Sequence, residues 1–153
     1  MIHKITKLIG SVNNEYKVIY DENYSMNVNA DALEKDRKFA YIEEFRSGEI
    51  LLNNHFPKER TRLQVYFFII KPETMQALER EALRDYIKSD IVRPFVLAFN
   101  KSTVFEKVER FQMYTSLPRF DARDIGVTLD FYVSEVMDLC PPTIIKSQKP
   151  CNQ

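Results

Sequence analysis

Three acidic residues near the end of the chain are the set whose types and spacing could do chemistry. Asp121 and Asp124 belong to one predicted loop, and Asp130 follows on the wet side of the next predicted strand. Hard divalent cations bind carboxylate oxygens at close quarters, as in metal-dependent nucleases. Arg119 and Arg123 interleave with these acids, however, and would neutralise a cation site. Solvated ion pairs are the preferred interpretation, and a metal-dependent nuclease is an alternative.

Other reactive motifs are missing from the sequence. The chain has only three glycines and no Gly-rich phosphate loop. His3 and His55 are its only histidines, and their spacing fits neither a zinc site nor a nucleophile. Cys140 and Cys151 lie in a Pro-rich tail and are expected to be free thiols. The sequence therefore predicts no catalytic residue, no cofactor and no metal ion.

The charge balance argues against a large class of partners. Lys plus Arg and Asp plus Glu number 22 each, so no net charge draws the chain to nucleic acid or an anionic membrane. No stretch approaches the ~20 apolar residues that span a bilayer. The first ten residues lack the apolar segment of a signal peptide, so the protein is not expected to be secreted.

The elements that would position any site are clearest in the second half of the chain. Arg62–Ile70 reads as a strand that is apolar on both faces, which indicates a central strand or a face covered by a partner. A charged amphipathic helix is predicted from Pro72 to about Asn100, and Pro94 must kink it or end it at Val92. Ile125–Val136 alternates strictly and predicts a half-buried strand. The predicted inner stripe of the helix is Met75, Leu78, Ala82, Leu83, Ile87, Ile91, Phe95 and Phe99.

Weaker patterns complete the prediction. Phe39–Arg46 and Glu49–Asn53 are expected to form two strands joined by a tight turn at Ser47-Gly48. Val104–Tyr114 is expected to be a strand with poor alternation. A single domain over 1–153 follows, with its core at about 38–136, an irregular region at 1–37 and an extended tail at 137–153. The fold class is α+β: a mostly antiparallel sheet, one long amphipathic helix packed on it, and an extended C-terminal tail.

Three passages of this sequence resemble a known family. They are Arg62-Leu-Gln-Val-Tyr-Phe-Phe-Ile-Ile, Ala77-Leu-Glu-Arg-Glu-Ala-Leu-Arg-Asp, and Phe120-Asp-Ala-Arg-Asp-Ile-Gly-Val-Thr-Leu-Asp-Phe-Tyr-Val. In type and order they are similar to the central strand, helix and final strand of the tail terminator (tail completion) and related neck proteins of tailed bacteriophages. That family usually begins with a strong N-terminal helix, and residues 1–30 predict none.

The resemblance implies a non-enzymatic structural protein of the virion, assembled in the host cytoplasm. It would be a subunit of a head-to-tail connector ring, a hexamer or dodecamer, between the capsid portal and the tail. Portal or adaptor proteins and tail proteins would be its neighbours, and DNA in the channel would be near only non-specifically. Ring contacts are heterologous, so each subunit uses two different patches. A soluble adaptor that adds a strand to an edge, such as Ile125–Val136, is the alternative from another class.

Two sets of residues are candidates for these contacts. Apolar and aromatic residues in excess of one modest core suit a subunit interface. The candidate interface residues are Leu63, Val65, Tyr66, Phe68, Ile70, Phe120 and Tyr132. The candidate basic residues facing the channel are Lys58, Arg60 and Arg62, although a solvated basic face is the simpler interpretation.

Overall fold

The computed structural model describes residues 1–20, 36–53, 56–71, 75–115 and 124–134. The strands are β1 (Lys17–Tyr20), β2 (Lys38–Asn53), β3 (Phe56–Ile70), β4 (Gln112–Tyr114) and β5 (Asp124–Val133). The helices are α1 (Ile2–Val12), α2 (Ala77–Ile87) and α3 (Arg93–Lys101), with a π-helical turn (Lys88–Val92) joining α2 to α3. These last three segments form one continuous helix of 25 residues, called the long helix below.

One five-stranded sheet carries the long helix, which confirms the predicted α+β class. The strand order is β1-β2-β3-β5-β4, with β1 parallel to β2 and every other pair antiparallel. β3 therefore lies at the centre, as its two apolar faces predict. Leu63, Val65 and Phe67 pack toward the long helix, and Tyr66 and Phe68 belong to a second cluster on the other face. The predicted C-terminal tail lies outside the described residues.

The predicted tight turn at Ser47-Gly48 is wrong. β2 runs through both residues and keeps pairing with β3 as far as Asn53 opposite Phe56, with a register irregularity between Glu44 and Gly48. A Ser-Gly dipeptide suits a β-bulge as well as a turn, because either one needs a locally irregular backbone. Cross-strand pairing with a distant segment decides between them. The charged segment Lys58–Arg62 is consequently part of β3.

The prediction of an irregular region at 1–37 is wrong for residues 2–12, which form α1, and for Lys17–Tyr20, which form β1. Residues 21–35 lie outside the described ranges. Ile5 and Ile9 lie four residues apart on one face and are completely buried in the main core. Ile2 and Val12 pack against the same cluster, which completes the spacing of an amphipathic helix. The lysines between them occupy the opposite face, and this helical period is the signal that the sequence analysis missed.

The long helix begins at Ala77, so the predicted start at Pro72 is wrong. The N–H of Gln76 donates to Oε2 of Glu79 at 3.0 Å, one half of a capping box. The helix also does not end at Val92. The Arg93 N–H donates to the carbonyl of Lys88, five residues back, so the helix widens just before Pro94. This π-helical turn lets the chain continue past a proline that has no N–H to donate.

Only part of the predicted inner stripe of the helix is buried. Ile87, Ile91, Phe95 and Phe99 are buried in the main core and Leu83 packs against it. Leu78, by contrast, is 80% exposed, and Ala82 is exposed as well. The prediction that these two residues face the core is wrong, because they lie on the face of α2 that points away from the sheet.

The segment after the helix is mostly irregular, so the predicted strand Val104–Tyr114 is reduced to β4. Its apolar residues still complete the core. The ring of Phe105 stacks on that of Phe99 at 4.7 Å, and the Phe111 ring lies 4.8 Å from that of Phe131. Asn100 ties the segment down, because its side chain accepts from the Val108 N–H and donates to the Val108 carbonyl.

A lysine at the start of β2 joins the N-terminal region to the long helix. Lys38 Nζ donates to Glu15, to the Tyr86 hydroxyl and to Asp90, the last at 3.0 Å. Burial opposes the charge on Lys38, but these three partners outweigh it and raise the lysine pKa. Burial, with the Asp90 charge, also raises the pKa of Tyr16. The π-helical turn, β2 and the end of α1 are thereby held together.

No helix within the described ranges combines the length and apolar character that crossing a bilayer requires.

Candidate functional site

Among the described residues, the distal half of the β2–β3 hairpin extends beyond the strands that flank it. β1 pairs with β2 only over Phe39–Ile42, and β5 pairs with β3 only over Thr61–Ile70. Beyond those limits, and among the described residues, β2 and β3 pair only with each other, from Glu49 opposite Arg60 to Asn53 opposite Phe56. We call residues Gly48–Asn53 and Phe56–Arg60 the arm. At ~3.4 Å per residue, six residues of antiparallel strand extend about 20 Å.

A two-stranded ribbon without a further strand or a packed layer against it is an unusual element in a folded protein. Isolated two-stranded hairpins are marginally stable in water, because they bury little apolar surface. The arm has no third strand among the described residues, and its sequence is apolar at three consecutive positions, Ile50 to Leu52. Its long edges also present backbone groups that can pair with another strand. Such an arm is suited to contact another surface.

A groove lies at the base of the arm, on the sheet face opposite the long helix. It consists of two adjoining depressions of about 200 and 390 Å³ that share Arg110 and Tyr132. The first is also lined by Arg60, Glu106, Lys107, Val108, Glu109 and Ser134, and the second by Arg62, Gln112, Asp130 and Phe131. Arg60 and Arg62 share a face of β3 with Tyr66, whereas the helix packs on Leu63 and Val65. The groove and the long helix are therefore on opposite sides of the sheet.

An ion pair forms the floor of the larger depression. Arg62 Nε and Nη2 donate to the two oxygens of Asp130 at 3.0 and 2.5 Å, and Gln64 Nε2 donates to Oδ2 at 2.9 Å. The hydrogen bond from Arg62 holds the pKa of Asp130 below its usual range, although burial acts in the opposite direction. The same bond raises the pKa of Arg62.

This pair corrects one prediction. Asp130 is not on a wet face, since only 5% of its side chain is exposed. Arg62 binds Asp130 in a bidentate contact and keeps 39% of its side chain exposed, so its position toward a channel stays a prediction. Both residues lie on paired strands, where Arg62 is directly opposite Tyr132 and Asp130 is two residues from Tyr132 on the same face of β5. The ion pair is a fixed part of the sheet surface.

The pH dependence of stability tests this pair. A carboxylate with a lowered folded-state pKa contributes stability above its unfolded pKa, and that contribution is lost as pH falls through the folded value. We expect Asp130→Asn to lower the melting temperature at pH 7. The difference from the unmodified protein should shrink as the pH falls below 3.8, the ordinary value for this carboxyl. Thermal melts between about pH 2.5 and 7, a range that spans the ordinary pKa of a carboxyl group, measure this difference in melting temperature.

The control is Asp36→Asn, which removes an exposed carboxylate from the ion pair with Lys71. Little change is expected there, because exposed pairs contribute little. A melting difference for Asp130→Asn that stays constant over the whole pH range would contradict the assignment.

The smaller depression holds a polar group without a partner. The Ser134 side chain is buried, with the residue only 7% exposed, and its hydroxyl makes no hydrogen bond within the described ranges. Arg60, Lys107 and Arg110 are exposed around it, and Glu106 and Glu109 line the same depression. Tyr132 is 40% exposed between the two depressions. The groove thus combines cations, carboxylates and an aromatic face.

Most of the predicted interface residues are buried inside the chain itself. Leu63 and Val65 belong to the main core, and Tyr66 and Phe68 form the second cluster with Phe39. They are therefore not free to contact a second copy, because the fold already covers both faces of β3. Ile70 is partly buried beside the second cluster, and Phe120 lies outside the described residues. Tyr132 is the predicted interface residue that the structure leaves exposed.

The three acidic residues are not brought together by the fold where it is described. Asp124 is buried and accepts a hydrogen bond from the Tyr66 hydroxyl at 2.5 Å. Asp130 lies six residues further along the same strand, about 20 Å away at ~3.3 Å per residue, and is bound by Arg62. Asp121 lies outside the described residues. Within the described ranges no group of three or more His, Cys, Asp or Glu could hold a metal ion.

The edge proposed for strand addition is largely an interior position. β5 lies between β3 and β4, with β4 pairing at Thr128 to Asp130. The Glu106 N–H donates to the Ser134 carbonyl and covers a further point of the same edge. The outermost described strand on this side is instead β4, whose three side chains are exposed.

Within the part of the chain that the structure describes, the arm and the groove at its base are two surfaces available to a partner. No protein-family model matches the chain, and no curated protein matches it.

Proposed function

We propose that this protein is a non-enzymatic structural subunit of a ring, of the kind that joins the capsid portal to the tail in tailed bacteriophages. The observation that carries the proposal is the arm. It extends about 20 Å, on the strand rise of ~3.4 Å per residue, past the strands that would shelter it. In a ring, a surface of the neighbouring subunit can cover the arm of each subunit.

A contact of this kind is heterologous. In a ring the arm of one copy does not meet the same arm of the next copy, because that isologous contact would close a two-fold dimer instead. It meets a different patch, and repetition of that contact gives a closed ring when the rotation closes. Neighbouring portal or adaptor and tail proteins would then bind above and below the ring, in the virion.

Two further observations support the proposal. α1 supplies the N-terminal helix that the resembling phage family usually has and that the sequence alone did not predict. The basic residues Lys58 and Arg60 lie in the arm and at its base, where they would be near DNA if the arms line a channel. Contact with DNA would then be non-specific, through phosphates.

Removal of the arm tests the proposal. We expect the full chain to form a discrete oligomer, resolved by light scattering after size-exclusion chromatography and as rings by electron microscopy. A variant with residues 47–60 replaced by a two-residue Asn-Gly turn should be monomeric. It should keep its circular dichroism spectrum, because the deleted residues make no strand pairs outside the hairpin in the described region.

The control is Leu97→Ser on the outer surface of α3, where the leucine is exposed and outside the arm. It should assemble as the full chain does. A full chain that stays monomeric at high concentration would overturn the proposal. So would an arm-deleted variant that still forms the same oligomer.

A further inference from the structure

The outward face of α2 is unusual for a surface helix. Leu78, Ala82 and Tyr86 recur every four residues, so they form one stripe along the helix. All three are exposed, and Leu78 is 80% and Tyr86 43% accessible. The helix buries a different stripe, around Ile87 and Ile91, against the sheet. α2 therefore has a second apolar stripe directed away from its own core.

Acidic residues lie on the same outward face. Glu81 and Asp85 are exposed and sit at three and seven residues after Leu78, on the same side of the helix. Asp85 is paired with Lys88 at 2.8 Å but keeps 66% of its side chain exposed. The outward face of α2 thus has an apolar stripe beside two carboxylates. We call it the acidic helix face, composed of Leu78, Glu81, Ala82, Asp85 and Tyr86.

The groove at the base of the arm is complementary to that face. Arg60, Lys107 and Arg110 are exposed cations, and Tyr132 offers an aromatic surface for an apolar side chain. The groove and the acidic helix face lie on opposite sides of the sheet, so one molecule cannot satisfy both with its own surfaces.

The mixed charges of the groove favour a protein over a nucleic acid. Glu106 and Glu109 line the same depression as the three cations. A continuous polyanion such as DNA would bring phosphates against these carboxylates as well as against the arginines. A helix with separated carboxylates and apolar side chains avoids that repulsion, because its carboxylates can lie against the cations and its apolar side chains against Tyr132.

We propose that the groove of one subunit receives the acidic helix face of the next copy of this chain. This contact rests on the proposed ring and names a second pair of patches, besides the arm, through which the ring would be built. Because donor and acceptor lie on opposite sides of the sheet, the contact is heterologous and can repeat around a ring. Leu78 packs beside Tyr132 and the carboxylates of Glu81 and Asp85 meet the cations.

A charge swap tests this contact. Arg110→Glu and Glu81→Arg should each weaken self-association by about tenfold or more, because each places like charges together. The double variant Arg110→Glu/Glu81→Arg should restore association to near that of the full chain. Sedimentation equilibrium measures the association constants. Lys7→Glu is the control, an exposed lysine on α1 outside both patches, and it should leave association unchanged.

The outcomes separate this inference from the proposed function. Normal association of both single variants would overturn the inference and leave the proposed ring standing on the arm. Failure of the double variant to recover would also overturn it, provided that circular dichroism shows all variants folded. A full chain that does not associate overturns both. Binding of a labelled 20-base-pair DNA duplex that Arg110→Glu abolishes, with association unaffected, would make nucleic acid the occupant and overturn the inference.

Discussion

Replacement of Gly126 by alanine is expected to destabilise the protein by about 3 kcal/mol, at the upper end of what overpacking costs. A Cβ at this position would lie 2.4 Å from the Phe67 carbonyl oxygen and 2.5 Å from Cε2 of Tyr66. The first contact is with backbone in the central strand, which cannot move without breaking its pairing. The second is with a ring stacked on Phe68 at 4.8 Å and anchored by its hydroxyl to Asp124. The residue is glycine because the Tyr66 ring lies across the strand there.

The measurement is urea unfolding followed by circular dichroism, with thermal melting as a second probe. At ~2–4 °C per kcal/mol for a chain of this size, the melting temperature should fall by about 10 °C. Gly10→Ala is the matched control, since Gly10 has nothing within 4 Å of an added Cβ and lies inside α1. That change should be neutral or stabilise by ~0.5–1 kcal/mol, because alanine favours a helix. Equal stabilities for the two variants would contradict the packing of Tyr66 over Gly126.

Phe99→Ala is expected to cost about 3–5 kcal/mol, the usual range for removal of a fully buried phenylalanine ring. Phe99 is completely buried at the end of the long helix, and its ring contacts four others. It stacks on Phe105 at 4.7 Å and meets Phe131 edge-on at 5.3 Å, with Phe95 and Phe111 each at 5.9 Å. Two of these partners lie in the irregular segment after the helix. That segment should therefore loosen first, because few other apolar contacts hold it.

Two measurements test the effect of Phe99→Ala: the free energy of unfolding and amide hydrogen exchange. Exchange should rise at Val108, whose N–H is bonded to Asn100 on the same helix turn as Phe99. Leu97→Ala is the control, since Leu97 is on the same helix but 61% exposed, and it should change stability by no more than ~0.5 kcal/mol. A cost for Phe99→Ala no greater than that of Leu97→Ala would show that the ring cluster does not hold the helix to the sheet.

The two proposals about assembly rest on surfaces that the sequence analysis did not identify. The number of aromatic residues predicts an interface on β3, because they exceed what one modest core holds. The structure places them in two clusters on either side of the sheet, so one chain buries them all within the described part of β3. The surfaces left for a partner are the arm, the groove and the acidic helix face. Of the predicted residues, Arg60 and Tyr132 belong to that set and are exposed.

Local periodicity in the sequence was enough to determine the α+β class, the central position of β3 and the inward face of β5. Bulky apolar side chains at every second residue favour a strand, because a strand places all of them on one face, where they can be buried together. The helical stripe from Leu83 to Phe99 is determined in the same way, because a period near 3.6 residues directs those side chains to one side. These results depend only on residues close together in the chain.

Only the tertiary structure decided the features that depend on residues far apart. Ser47-Gly48 lies at a register irregularity within β2 rather than in a turn, because β2 and β3 resume their pairing beyond it. Asp130 is an ion-pair partner rather than a wet residue because Arg62, 68 positions earlier, lies beside it in the sheet. Leu78 faces solvent because the core ends before the first turns of α2. Each of these features depends on which segments meet in space. The spacing of residues within one segment does not predict the contacts that it makes with a distant segment.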